Sequence, residues 1–260
     1  MNCWTGWQRE EVWRHKVPAM TTTAAPARAS FSELRHLTLT HPAIHAWVEL
    51  RRQLICWQDW DIIPATGAAQ ASSEAIRFFR HPDPDWRTLR DWLGTLTVDL
   101  VTLDAAVVVL VKPHGAGGGL FGSDIQGLRL ADPAITEPAI DSYGVLKEYV
   151  LYTGEVPRRD FTAMFGEPLS MNVLARYPAD RCLYLSMNPR RESPFGMSPL
   201  EKAIERREDG TIDADATAEN LPEADDPAWA RDTQAFLKAA LFDAILGRCS
   251  DGSLAWKWET

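Results

Sequence analysis

The chain has 260 residues, 45% hydrophobic and 24% charged, which is enough for one sizeable core or two smaller ones. A net charge of -9 argues against a general nucleic-acid binder, which needs clustered Lys and Arg, and does not exclude a protein that lets DNA slide past. Most of the eleven Trp must be packed in a core or at a subunit interface. Cys3, Cys56, Cys182 and Cys249 are far apart and form no C-x-x-C pair, so they are expected as free thiols in a reducing cytoplasm.

No apolar run reaches membrane-spanning length; the longest, Ala105 to Val111, is strand-sized. The start, MNCWTGWQREEVWRHK, is broken by charge throughout and is not a signal peptide, which predicts a soluble chain, intracellular at synthesis. Residues 1 to about 30 read as a detached, disordered segment. The low-complexity run Thr21 to Ser30 has nothing to bury, and Met20 directly before it is an alternative start.

The periodicity predicts a first helix from about His41-Pro42, with Ile44, Trp47, Val48, Leu54 and Ile55 near one face. His41 and His45 have metal-ligand spacing, but no Glu follows His41 and no third ligand is near. Trp57 to Pro64 alternates as a short strand, and Thr66 to Ser73 reads as a small-residue linker. A second long helix follows, on which Trp86, Leu89, Trp92, Leu93, Leu96, Leu100 and Leu103 form a core stripe. Asp99 and Asp104 are a carboxylate pair in sequence, read as a solvated helix face and a helix-end residue in preference to acid–base partners. Ala106 to Val111 is a buried strand by its β-branched content. Gly115 to Gly119 lacks the G-K-[ST] of a phosphate loop, and the next segment, Ile125 to Leu130, reads as a strand. The glycines therefore read as a flexible hairpin connection.

Arg181 to Ile204 divides into three parts. Cys182 to Met187 alternates as a strand, and Asn188 to Pro194 is a polar loop punctuated by Pro. Gly196 then turns the chain into Ser198-Pro199-Leu200-Glu201. There Ser198 is placed as helix cap, Pro199 as first helical residue, and Glu201 can reach back to the cap backbone. Glu208 to Asp226 is acidic, Ala-rich and reads as a surface linker. A last helix from about Pro227 carries Trp229, Phe236, Leu237, Leu241, Phe242 and Ile245 on one face, with Gly247 placed to end it. Leu254 to Trp258 closes as a short strand.

The run NPRRESPFGMSPLEKAI resembles the N-P-R…(Y/F)-G-x-S-P-x-E-x-A signature of portal proteins from tailed bacteriophages. The resemblance spans about His41 to Ile204. It takes in WDIIP, FFRHPDP with the helix after it, Leu128 to Pro138, Asp141 to Gly144 and Tyr149 to Gly154, and the C-terminal helix and strand have a counterpart too. It implies an α+β fold, an antiparallel sheet flanked by amphipathic helices as in the portal wing. The corresponding divisions are 1–30, a disordered segment; 31–207, the wing-like domain; 208–226, an acidic linker; and 227–260, a C-terminal helix and strand.

By the same resemblance the chain is a head–tail connector subunit in a ring at the capsid vertex, the passage for DNA packaging and ejection. It has no catalytic residue, cofactor or metal of its own. The implied partners are other copies of itself, the terminase, capsid or scaffold and neck proteins, and double-stranded DNA passing through without sequence-specific binding; no membrane is implied. The implied location is the procapsid vertex and virion, with the host cytoplasm during assembly. Asn188, Pro189, Arg190, Phe195, Gly196, Ser198, Pro199 and Glu201 carry the motif as architecture, not chemistry.

Two departures stand out. Gly210-Thr211-Ile212 follows the S-P-x-E helix almost at once, where the family's helix runs on, and the chain stops near where the family continues into stem and clip. These features imply the N-terminal part of a portal, shortened in a prophage remnant or encoded in pieces, and the alternative function is a truncated prophage-remnant fragment without ring-forming function. The other alternative, a small nucleotide-binding or hydrolytic enzyme, lacks a nucleophile–base pair or phosphate loop of suitable spacing.

Overall fold

The computed structural model describes residues 28–64, 69–83, 88–112, 120, 123–141, 145–159, 164, 169–190, 193–250 and 254–259. Helical structure begins ten residues earlier than the apolar periodicity predicts. The Ser30 hydroxyl accepts from the Glu33 N–H, and the Glu33 carboxylate accepts from the Ser30 N–H at 2.7 Å, a closed capping box that starts α1 (Phe31–Thr40). Ala29 is buried and Arg28 is ion-paired, so the end of the supposedly detached segment is anchored; residues 1–27 lie outside the described residues. His41 breaks the helix with extended backbone, and Pro42 restarts it as α2 (Pro42–Cys56).

β1 (Trp60–Pro64) is followed by α3 (Ala69–Arg80), which takes over half of the predicted Thr66–Ser73 linker. Alanine is the best helix former, and Ala75 and Phe79, one turn apart, are both fully buried. Thr88 caps α4 (Leu89–Leu103) by accepting from the Asp91 N–H, and the predicted stripe of Trp92, Leu93, Leu96, Leu100 and Leu103 is buried. Trp86 lies outside the described residues. Asp104 closes α4 in the left-handed region, at φ 49°.

The strands that follow are β2 (Ala106–Val111), β3 (Gly127–Ala131), β4 (Thr136–Ile140), β5 (Leu146–Tyr152), β6 (Val173–Pro178) and β7 (Cys182–Leu185). All pair antiparallel, as the α+β reading requires, but in two three-stranded sheets, β3-β2-β7 and β4-β5-β6, where one sheet was expected. The division falls at Asp132-Pro133. Asp132 accepts from the Ala134 N–H at 2.9 Å and starts a 3-10 turn (Pro133–Ile135), which redirects the chain before β3 and β4 can form a hairpin. The predicted Gly115–Gly119 connection lies outside the described residues.

α5 (Pro199–Ala203) has five residues and ends at Ile204, whose backbone is extended. The chain goes straight into a small hairpin, β8 (Glu205–Arg206) with β9 (Ile212–Asp213), turned through Gly210 at φ 84°. The acidic stretch is therefore no linker: it contains β9 and α6 (Ala214–Glu219), and Thr217 is fully buried. Trp47 Nε1 donates to the Pro222 carbonyl at 2.6 Å and Arg51 Nη2 to the Glu223 carbonyl at 2.8 Å, strapping the stretch onto α2. Arg51 is clasped between the Trp47 and Trp229 rings, and desolvation pulls its pKa down to about 10.

α7 (Pro227–Leu237) runs through a π-helical turn (Lys238–Phe242) into α8 (Asp243–Ser250). The wider turn brings Leu237, Leu241, Phe242, Ile245 and Leu246 to complete burial on one side. Gly247 is exposed inside α8 and does not end it; the helix continues to Ser250. β10 (Leu254–Trp258) returns to pair with β1, Trp60 opposite Trp258. Trp256 stacks on Phe242 and Trp60 at centroid distances of 3.7 and 4.7 Å, with Phe79 edge-on at 5.3 Å. One core runs from Ile55 and Phe79 through Trp92, Val108 and Leu183 to Phe242 and Trp256, so the C-terminal helix and strand share their interior with the predicted wing domain.

Candidate functional site

The family-like motif is built around a buried carboxylate, Asp104, whose place in the sequence predicts only a helix-end residue. Asp104, at the C-terminus of α4, is fully buried and accepts four hydrogen bonds from the end of β7. The Ser186 hydroxyl donates at 2.8 Å, the Met187 N–H at 3.0 Å, the Asn188 N–H at 2.9 Å and Asn188 Nδ2 at 3.2 Å. Burial pushes the Asp104 pKa up, and these four donors pull it back.

This carboxylate explains two motif positions. Asn188 contributes two of the four donors, its backbone N–H and its side-chain Nδ2, and the second is one that no apolar residue could supply. Gly196 is packed against it: a Cβ there would stand 2.7 Å from Asp104 Cγ and closer still to Asp104 Oδ2 and Ser186 Oγ. Only a glycine lets the loop return so close. The Met197 N–H donates to the Asn188 carbonyl at 3.3 Å, which closes the loop across its base.

The rest of the motif is fixed by a second buried cluster. Ser198 caps α5 by accepting from the Glu201 N–H at 3.0 Å, with Pro199 first in the helix, as predicted from the tetrapeptide. Glu201 does not reach back to the cap. Its carboxylate pairs with Arg28 at 3.0 Å and Arg158 at 2.8 Å, because two guanidiniums offer a buried anion more than one N–H does. Arg158 and Glu201 side chains are only 4% and 6% exposed. Desolvation lowers the Arg158 pKa, and Glu201 opposes that shift.

Both arginines also donate to the Gly196 carbonyl at 2.6 Å, and Arg158 donates to the Ala29 carbonyl at 3.1 Å. The Arg158 guanidinium lies over the Phe31 ring at 4.8 Å. Phe195 is fully buried, edge-on to Phe31 and Tyr184. Ser193 accepts from the Phe195 N–H at 3.2 Å and donates to the Arg159 carbonyl at 3.1 Å. Pro189 is exposed and Arg190 half-buried, at the rim of the site.

The structure thus gathers Asn188, Gly196, Ser198, Pro199 and Glu201 with Phe195 behind them, and adds Asp104, Arg28 and Arg158, which the motif did not name. Asp104 was legible only as a helix end. Arg28 and Arg158 sit in stretches without periodicity, so no pattern singled them out.

The remaining candidates have structural partners. His41 Nδ1 faces the Ile44 N–H at 3.5 Å while Nε2 meets Asp215 Oδ1 at 3.0 Å. Among the described residues no group of three or more His, Cys, Asp or Glu could hold a metal. Asp99 is not on a solvated face: it is half-buried and lies 3.3 Å from Arg35, which also grips Asp132 at 2.7 Å. Desolvation pushes the Asp99 pKa up to about 6 against the pull of Arg35. Cys56 and Cys182 are free and buried, and burial pushes the Cys182 thiol up to about 12. Cys3 and the Cys249 side chain lie outside the described residues. Among the described residues, no helix is long and apolar enough to cross a membrane.

No protein-family model matches the chain, and no curated protein matches it. Its fold is shared with solved structures of gene transfer agent particles. A chain of the neck of an empty particle, computed with C6 symmetry, is 10% identical with a TM-score of 0.59, over 90% of this chain and 85% of that one. A chain of the neck of a native particle, computed with C12 symmetry, is 10% identical with a TM-score of 0.54, over 91% and 86%. A chain of the virion of a native particle is 9% identical with a TM-score of 0.54, over 90% and 85%. At this identity the likeness is one of fold: the chain shares the α+β architecture of a chain in the neck of a gene transfer agent particle.

Proposed function

We propose that the chain is a ring-forming portal subunit of a phage-like particle, a non-catalytic head–tail connector at one capsid vertex through which DNA is packaged and ejected. The observation that carries this reading is the fold shared with a particle-neck chain over 90% of this chain at a TM-score of 0.59. The motif supports it. Its buried polar groups are used to hold a strand, a loop and a helix in one geometry, with Asp104 turned to four donors and Glu201 to two arginines. Such a lock serves a part that must keep its shape under load.

A deletion in a producing strain tests the function. Loss of the chain leaves capsids that assemble but hold no DNA, and an epitope-tagged copy appears at a single vertex by immunogold labelling. DNA-filled particles from the deletion strain contradict the reading.

A further inference from the structure

α1 is tied to the rest of the fold by charged residues that lie far along the chain. At its start the Glu155 carboxylate accepts from the first-turn N–H groups of Phe31 and Ser32, at 2.7 and 3.1 Å. Arg28, just ahead, pairs with Glu201, and Glu33 lies 3.8 Å from Arg206 of β8. In the middle of the helix Arg35 reaches both Asp132, before the 3-10 turn, and Asp99 on α4. At its end His41 leaves the helix with extended backbone before Pro42 starts α2, a ready hinge.

Arg35 is shared unequally. Its two terminal nitrogens grip Asp132 at 3.0 and 2.7 Å, a bidentate pair, and Asp132 also accepts from the Ala134 N–H at 2.9 Å. Asp99 is reached only by Nη2, at 3.3 Å, although its side chain is just 17% exposed. Among the described residues the charged groups that face Asp99 are these two: Arg35 attracts a charge there and Asp132 repels it. Docked α1 therefore takes a second carboxylate out of water without giving it a full partner.

We propose that α1, with Arg28 ahead of it, is a strap governed by the charge on Asp99: it is held down while that carboxyl carries a proton and loosens as the carboxyl ionises. Burial outweighs the pull of Arg35 and pushes Asp99 up to about 6, so the change falls between pH 5 and pH 7. Burial also pushes Asp132 up, but Arg35 and the Ala134 N–H outweigh it and leave it below its ordinary 3.8, outside that range. Opening takes Phe31, Leu34 and Leu37 out of the core they share with Ile44, Val101 and Phe195. It also takes Arg28 off Glu201, so the strap sets whether one guanidinium or two hold the motif helix.

Hydrogen–deuterium exchange of the full chain at pH 5 and pH 7, corrected for the intrinsic rate at each pH, tests this. Peptides of α1 exchange through a smaller opening than those of β2, so their protection is well below that of Ala106–Val111 at both pH values. α1 protection falls about tenfold from pH 5 to pH 7, as it does when one carboxyl moves between about 6 and 3.8. In Asp99→Asn that fall is lost. The other titratable groups on or against α1 (His36, His41 with Asp215, Glu33, Glu155 and Glu201) are unchanged in the variant, which separates Asp99 from them. In the unaltered chain, α1 protection equal to that of β2, or equal at the two pH values, overturns the strap without need of the variant. A fall that persists in Asp99→Asn overturns it too.

Discussion

Asp104 and Gly196 show how one residue can decide another 92 positions away. The Asp104 carboxylate needs donors and close quarters, and Gly196 supplies the close quarters by having no side chain. Gly196→Ala therefore forces the loop off Asp104. It lowers stability by about 1–3 kcal/mol, the usual cost of overpacking, seen as a lower midpoint in urea unfolding. Gly154→Ala is the control: its added Cβ meets only the flexible tip of Met171 at 3.3 Å, and its midpoint moves far less. Glu201→Gln leaves Arg28 and Arg158 facing a neutral partner inside the protein. It costs about 3–5 kcal/mol, as breaking one side of a buried pair does.

Asp99 gives a pH signature. Its folded pKa, about 6, is above its ordinary value of 3.8, so the folded chain binds that proton more tightly than the unfolded chain. The contribution is then largest below about pH 4 and is lost as pH rises through about 6. Asp99→Asn removes that slope, so the urea midpoint of the variant changes less between pH 5 and pH 7 than that of the unaltered chain. Equal slopes in the two proteins contradict the assignment. These three residues also mark the limit of legibility. The cap at Ser198 and Pro199 could be read from four adjacent letters. The partners of Asp104, Glu201 and Asp99 lie far along the chain, and nothing in local spacing points to them.

Elements with strong periodicity, α2, α4, β2 and the segment from Pro227, were legible because their apolar faces repeat at 3.6 or 2 residues. The elements that were missed are weak in that signal. α1 announces itself by Ser30-x-x-Glu33 more than by its apolar face, and α3 begins in small residues. β9 and α6 lie inside an acidic run whose burial comes from neighbours: Trp47 and Arg51 hold that run by two carbonyls. The division into two sheets turns on the Asp132-Pro133 turn, which pattern reading passes over. The β1–β10 ribbon joins residues nearly two hundred apart, and Trp256 is its centre. Trp256→Ala empties the space between Phe242, Trp60 and Phe79 and costs about 3–5 kcal/mol. Far-UV circular dichroism with urea titration measures the loss, and an unchanged midpoint contradicts the packing described.

The described residues share one main core: the C-terminal helix and strand complete the core begun by α2, β1 and α4, and Arg28 is clamped to the motif helix. The family-like motif fixes the fold's geometry, and the fold is that of a particle-neck chain. As proposed above, the chain stands in a ring of its own copies. Sedimentation velocity of the purified full chain, with negative-stain images of the main peak, tests it most directly. The expected result is a single closed ring of many copies with a central opening. A monomer at tens of micromolar, with no larger species and no rings on the grid, contradicts it.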